Sequence, residues 1–196
     1  MTDQHINYAM LKKVDSFLAK KWTRAFTVFF DINRNQFLEW HDFELLIQTI
    51  GKARGQDSAE YQLALETMSR VWEKLLQIAD LNKDGKVSLD EWQYMWCQHI
   101  KKQALTSWEN LYLDYTFNLL DVSGDGLIDL SEYIEVMAFY GIDRQEATES
   151  FDKFARNADG QNLYAIDYDA YCRLWREYFE SIDPDAPGNF IFGDLE

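Results

Sequence analysis

Residues 121–132 read DVSGDGLIDLSE, and their spacing decides how the rest of the chain is read. Asp121, Ser123 and Asp125 offer side-chain oxygens at the first, third and fifth places of a twelve-residue loop. Gly126 stands sixth, where the chain must turn sharply, and the Leu127 carbonyl stands seventh. Asp129 stands ninth, able to coordinate directly or through a water. Glu132 closes the loop with a carboxylate long enough to bind through both oxygens. Oxygens at those places make a shell for calcium. Ile128, in eighth place, is apolar, as suits a residue through which two such loops pair. An acidic surface turn is the alternative, and it would not require all of these residues at once.

The same frame recurs outward from this stretch. Asp80–Glu91, DLNKDGKVSLDE, meets every place: Asp80, Asn82 and Asp84, then Gly85, the Lys86 carbonyl, apolar Val87, Ser88 acting through a water, and Glu91. Asp31–Asp42, DINRNQFLEWHD, keeps Asp31, Asn33, Asn35, the Phe37 carbonyl and Glu39 but departs twice. Gln36 replaces the turn glycine, at a cost of about 1 kcal/mol where φ is positive. Asp42 replaces the closing glutamate, and its shorter arm disfavours a bidentate pose. A more compact shell favours Mg²⁺ relative to the 121–132 loop. We expect a metal here, with a retained scaffold turn as the alternative. A fourth loop, aligned with Leu163 at the apolar place, spans Arg156–Asp167, RNADGQNLYAID. Arg156, Ala158 and Gly160 then occupy its first, third and fifth places, and a register that begins at Asn157 or Asp159 does not supply the remaining carboxylates, so the loop is expected to hold no divalent ion and to serve as a pairing partner. Starts at 31, 80, 121 and 156 form a four-fold internal repeat.

Helical periodicity flanks each loop. Residues 8–30 read as one helix, followed after the first loop by a second apolar run over 43–50. Asp57 with Glu60 is expected to cap a long helix running to Ala79. The helix leaving the second loop, Trp92 to about Lys102, should bury Trp96 and Cys97. Thr106 with Glu109, and Asp143 with Glu146, read as further caps, and Gly141 as a helix stop. Because each helix–loop–helix unit leaves an apolar face uncovered, units pair. The expected fold is all-α, two such pairs packed into one compact globule with short strand pairing between loops. Residues 1–102 hold the first pair and 103–180 the second, of which the 121–132 loop is active and the 156–167 loop degenerate. The tail, 181–196, carries Phe190, Ile191, Phe192 and Leu195 and is expected to dock into a crevice.

Composition narrows the function classes. A net charge of −15 disfavours nucleic acid and anionic membranes as partners and suits a carrier of cations. No apolar run is long enough to span a bilayer. The first residues, MTDQHINYAM, lack the form of a secretory signal, and Thr2 excludes myristoylation at that place. Two cysteines, Cys97 and Cys172, suggest reduced thiols and a cytoplasmic protein. No nucleophile elbow, phosphate-binding glycine loop, HExxH or CxxC is present, so no enzymatic activity is expected. His41, in the first loop, is expected to face solvent, and His99 to lie on a helix surface.

The tail PGNFIFGDLE, the helix CRLWREYF and the four-repeat layout resemble the invertebrate sarcoplasmic calcium-binding proteins over essentially the whole chain. Within that family, the EW at the ninth and tenth places of the first loop, the closing Asp42 and the degenerate fourth loop are most similar to the calexcitin branch. The resemblance implies a cytosolic, monomeric protein of two EF-hand pairs with three active sites. About three Ca²⁺ are expected, with Mg²⁺ competing best at loops one and three, given Asp42 and the fourth carboxylate, Asp129. Two roles follow: a buffer or calexcitin-like signal protein, or a triggered sensor that regulates a protein target through an exposed apolar surface or tail. The aromatic content, 7 Trp, 11 Tyr and 13 Phe against 5 Met, favours the first, since groove-opening sensors rely on methionine. A photoprotein-like binder of a small aromatic ligand is a third reading, weakened by histidines at positions 5, 41 and 99 only.

Overall fold

The computed structural model describes residues 6–100, 107–157 and 159–195. Contacts divide the chain into two compact units, Met1–Tyr112 and Leu113–Glu196. In order, the first contains α1 (Tyr8–Leu11), α2 (Ser16–Arg24), a π-helical segment (Ala25–Phe30), β1 (Phe37–Leu38), α3 (Trp40–Arg54), α4 (Ala59–Ala79), β2 (Val87–Ser88) and α5 (Leu89–His99). Next, α6 (Ser107–Leu120) carries the division, which falls later than the 102–103 boundary expected from sequence. Its first turns belong with the first unit because Trp108 and Tyr112 pack on Phe30, at ring separations of 6.2 and 4.7 Å. The second unit adds β3 (Leu127–Asp129), α7 (Leu130–Met137), α8 (Arg144–Phe154), β4 (Ala165–Asp167) and α9 (Tyr168–Glu180). Two antiparallel ladders join the loops: Phe37 with Ser88 and Leu38 with Val87, then Leu127 with Asp167, Ile128 with Ile166 and Asp129 with Ala165.

The single helix expected over 8–30 is broken. Asp15 turns its carboxylate onto the amides of Phe17 and Leu18, at 2.8 and 3.4 Å, and so starts α2 afresh. A short polar side chain that satisfies its own backbone competes with helix continuation. The segment then widens into the π turn, closed by the Asp31 amide on the Phe26 carbonyl at 2.8 Å, with Phe26, Phe29 and Phe30 all buried. Likewise α4 starts one residue later than expected. Ser58 rather than Asp57 is its cap, the hydroxyl accepting the Tyr61 amide at 3.1 Å. Asp143 caps α8 through the Glu146 amide, and Gly141 takes a left-handed φ of 78° after Tyr140. The cap read at Thr106 lies outside the described residues.

The first unit is built on tryptophan. Trp22, Trp92, Trp96 and Trp108 are all buried; Trp22 stacks on Trp96 at 6.4 Å, and Trp92 meets Trp96 and Trp108 at 5.8 Å each. The Trp92 indole N–H donates to the Trp22 carbonyl at 2.9 Å, so the large ring is buried without stranding its donor. His99 corrects an expectation: it is 4% exposed, not superficial. It follows Trp92 and Trp96 at i, i+4, i+7, which places all three on one face of α5. Its ring meets Trp96 at 5.2 Å and the buried Glu109 carboxylate at 3.3 Å. Cys97 is buried and reduced, and Cys172 is half-buried and reduced.

In the second unit the tail packs on α8 and α9. Phe192 lies among Trp175, Tyr178 and Phe179, at 5.4, 4.7 and 6.0 Å between ring centres. Gly188 approaches so closely that a Cβ there would stand 2.4 Å from the Leu174 carbonyl oxygen. Its amide donates to the Glu177 carboxylate at 2.9 Å. Buried Asn189 donates to the carbonyls of Asp183 and Pro184, and Tyr133 donates its hydroxyl to the Ile191 carbonyl at 3.1 Å. Asp194 completes the anchor on Lys153 at 2.9 Å. Among the described residues no helix is long and apolar enough to cross a membrane. Phe192→Ala should therefore cost about 3–5 kcal/mol, as truncating a buried phenylalanine does. Ile182→Ala, at a side chain 63% exposed near the start of the tail, should change stability by less than about 0.5 kcal/mol. Denaturant unfolding of the two variants checks the contrast.

Candidate metal centre

Three loops are closed by one hydrogen-bond scheme. The first-place carboxylate accepts the amides of the fifth and sixth residues: Asp31 from Asn35 and Gln36, Asp80 from Asp84 and Gly85, Asp121 from Asp125 and Gly126, all at 2.9–3.2 Å. The fifth-place side chain accepts the seventh amide, at 2.9–3.0 Å in each loop. The twelfth-place carboxylate reaches back across the loop: Glu132 accepts the amides of Ser123 and Asp129 at 2.7 and 3.0 Å, and Glu91 accepts those of Leu81 and Ser88 at 3.1 and 2.9 Å. Ser88 with Glu91 and Asp129 with Glu132 form reciprocal capping boxes for α5 and α7. One spacing thus starts the exit helix and closes the loop.

Every side-chain donor at the expected sites is a carboxylate, carboxamide or hydroxyl oxygen, the set that hard divalent cations take. In the described residues no three carboxylate, imidazole or thiol groups converge on a common point; the first- and twelfth-place carboxylates are turned onto their own loop's backbone amides, while Glu39 meets the Asn33 and Asn35 side chains and Lys86. His41 lies at the loop-one rim, exposed, 3.2 Å from Glu44.

Loop one reproduces the scheme with its two departures in place. Gln36 does adopt a positive φ, 71°, matching 82° at Gly85 and 83° at Gly126, so the strain anticipated for a non-glycine residue is present. Asp42 nonetheless spans the loop, accepting the amides of Asn33 and Glu39 at 3.0 Å each. The shorter side chain draws in to 1% exposure, beside Phe29, Phe30, Phe43 and Tyr112. Burial among these groups raises its carboxyl above the usual range, against the two amide bonds that lower it. Glu39 moves the other way, lowered chiefly by its hydrogen bond with Lys86.

The fourth loop overturns the Arg156–Asp167 alignment. The ladder pairs Ile128 with Ile166, so the apolar place belongs to Ile166 and not to Leu163, which is 37% exposed. Asp167 then takes the ninth place, capping α9 through the Ala170 amide at 2.8 Å, and the closing place falls on Ala170. Between the end of α8 and that cap lie residues 155–166, four more than in the other loops. The extra chain is folded on itself: Asn157 accepts the amides of Asp159 and Gln161, the Leu163 amide donates to the Ala155 carbonyl at 2.7 Å, and the Arg156 Nε donates to the Asp152 carbonyl. The signal was present in the text of the chain, since Ala165-Ile166-Asp167 repeats Leu127-Ile128-Asp129.

Two side chains not singled out from sequence reach across the ladders onto ninth-place carboxylates. The Lys86 ammonium stands 3.1 Å from Glu39, and the hydroxyl of Tyr164, itself 83% exposed, lies 3.5 Å from Asp129. The spacing of the repeats gives no sign of either, because both depend on which residues the ladder sets opposite one another.

The family model described as EF hand matches residues 73–96 and 113–137, which contain the second and third loops. Calexcitin-1 of Caenorhabditis elegans is 33% identical over 183 residues, covering 93% of this chain and 89% of that protein. Sarcoplasmic calcium-binding proteins I, III and IV of Branchiostoma lanceolatum are 31% identical over 187 residues, covering 92% and 98%. The solved structure of a sarcoplasmic calcium-binding protein from amphioxus superposes with a TM-score of 0.77 at 24% identity, over 92% of this chain and 99% of that one. Shared loop geometry and similarity along nearly the full length agree: the chain belongs to the calexcitin and sarcoplasmic calcium-binding protein family of EF-hand proteins.

Proposed function

We propose that this protein binds Ca²⁺ at three loops and acts as a cytosolic buffer or buffer-like signal protein, without enzymatic activity. The observation that supports it best is the common hydrogen-bond scheme, which sets oxygen donors of the right kind around all three loops. The ligands would be Asp31, Asn33, Asn35, Phe37, Glu39 and Asp42; Asp80, Asn82, Asp84, Lys86, Ser88 and Glu91; and Asp121, Ser123, Asp125, Leu127, Asp129 and Glu132, with Phe37, Lys86 and Leu127 acting through backbone carbonyls. The fourth loop, closing on Ala170, would bind no ion and would serve to pair the third. Mg²⁺ would compete best at loops one and three, given the short Asp42 arm and the fourth carboxylate, Asp129. Binding would add stability in proportion to its free energy, since carboxylates drawn together without metal repel.

The interior supports a buffer over a sensor. Met68, Met95 and Met137 are buried, and methionine is scarce beside the buried tryptophan, tyrosine and phenylalanine rings. The alternative, a sensor that regulates a protein target, draws on the apolar tail, whose Phe192 is 4% exposed.

Two measurements test these readings. Glu132→Gln should weaken the third loop by more than about 100-fold, the upper end of what losing an outer-shell partner costs, while the second loop is unchanged. Calorimetric Ca²⁺ titration should then show one tight site fewer, and an unchanged number of tight sites rules out the assignment of loop three. For the buffer role, fluorescence of a hydrophobic dye should not rise when Ca²⁺ replaces EDTA; a clear rise would instead establish an opening surface and the sensor role.

A further inference from the structure

We propose that Lys86 is a tethered cation that sets the affinity of loop one and makes it the last of the three loops to fill. This rests on the reading of Asp31–Asp42 as a metal site. Lys86 belongs to the second loop, at the seventh place, where its backbone carbonyl is the expected ligand. Its side chain serves the neighbouring loop. The β1–β2 ladder sets Phe37 opposite Ser88 and Leu38 opposite Val87, which brings the Lys86 ammonium to 3.1 Å from Glu39 Oε2 and 5.6 Å from the centre of the Phe37 ring. The other Glu39 oxygen, Oε1, accepts the side-chain amides of Asn35 and Asn33 at 2.5 and 3.4 Å. Three expected ligands of loop one are therefore tied to each other, and the charge that a divalent ion would neutralise is already met by an ammonium.

Neither of the other loops has this arrangement at its ninth place. Ser88 donates its hydroxyl to Glu91 at 2.8 Å, and Asp129 faces the neutral phenol of Tyr164. A dication entering loop one must move the ammonium off Glu39 or share the site with it, and Coulomb repulsion opposes the second. Lysine suits a displaceable counterion: its charge is compact, its stem is flexible, and this side chain is 45% exposed, so it can swing into water. The same residue contributes its carbonyl to loop two, so the two sites of the first unit share one residue through different atoms.

The amides of the sixth-place residues, Gln36, Gly85 and Gly126, each donate to their loop's first carboxylate and report the three loops separately in a Ca²⁺ titration followed by ¹⁵N NMR of the full chain. In the wild-type protein the Gln36 signal should move last. Lys86→Met should lower its midpoint by about two- to five-fold, the scale of a partly exposed ion pair. Lys86→Arg should leave it near the wild-type value, and Lys86→Met should have no effect in a Glu39→Gln background. An unchanged Gln36 midpoint in Lys86→Met overturns the proposal. So does an equal gain with and without Glu39, which would show a diffuse charge effect. Without metal, Lys86→Met should also shift the Asn35 side-chain amide signals, and unshifted signals overturn the contact itself. A Gln36 amide that moves in none of these proteins overturns the reading of loop one as a metal site, and the role of Lys86 with it.

Discussion

Much of the chain hangs on two very short backbone ladders, β1 with β2 and β3 with β4. Each is only two or three residues long, yet each buries a facing pair: Leu38 with Val87 and Ile128 with Ile166. In a strand a shift of one residue would turn these apolar groups outward, so burial pins the register. From that register everything nearby follows in a few residues. The ninth place becomes the cap of the exit helix, in the first three loops the twelfth place reaches back to the amides across the loop, and Lys86, at the seventh place of loop two, projects its side chain onto the partner loop. Loop closure, helix initiation and loop pairing therefore draw on the same short stretch of sequence.

That overlap explains what could be read from the sequence. The turns of loops two and three were legible because Asp-x-Asn-x-Asp-Gly and Asp-x-Ser-x-Asp-Gly ahead of an apolar residue set side-chain oxygens at the intervals that the loop-closing hydrogen bonds use. Loop one was legible with its two departures, and Gln36 carries the positive φ that makes its departure matter. The fourth loop was misaligned because, with no ligands to anchor it, alignment rested on one apolar residue. Leu163 and Ile166 both qualify, and only pairing with Ile128 separates them. The break at Asp15, the shift of a cap to Ser58 and the burial of His99 share a cause: each is decided by a competition among side-chain hydrogen bonds or by a packing face rather than by apolar periodicity alone.

The aromatic interiors give the two units different kinds of rigidity. In the first, four tryptophans from α2, α5 and α6 interlock, with the Trp92 indole tied to the Trp22 backbone. In the second, the tail supplies the ring that fills the space beside α9, and Tyr133, next in sequence to the loop-closing Glu132, holds the tail through its hydroxyl. Large rings in edge-on and tilted contacts leave fewer alternative packings than flexible thioethers do.

The four extra residues ahead of Ile166 carry a consequence for how this fold tolerates change. Several of the segment's hydrogen bonds close on one another, and it is also held at the Ala155 carbonyl, through Arg156 at the Asp152 carbonyl, through Tyr164 at Asp129, and at the ladder. Closing a longer loop costs little, since the entropy grows only logarithmically with length. What the C-terminal unit must preserve there is this set of anchor points and not a distance along the chain. A loop held by its neighbours and not by its own spacing is released from fixed length, and becomes the place where this fold can absorb an inserted peptide.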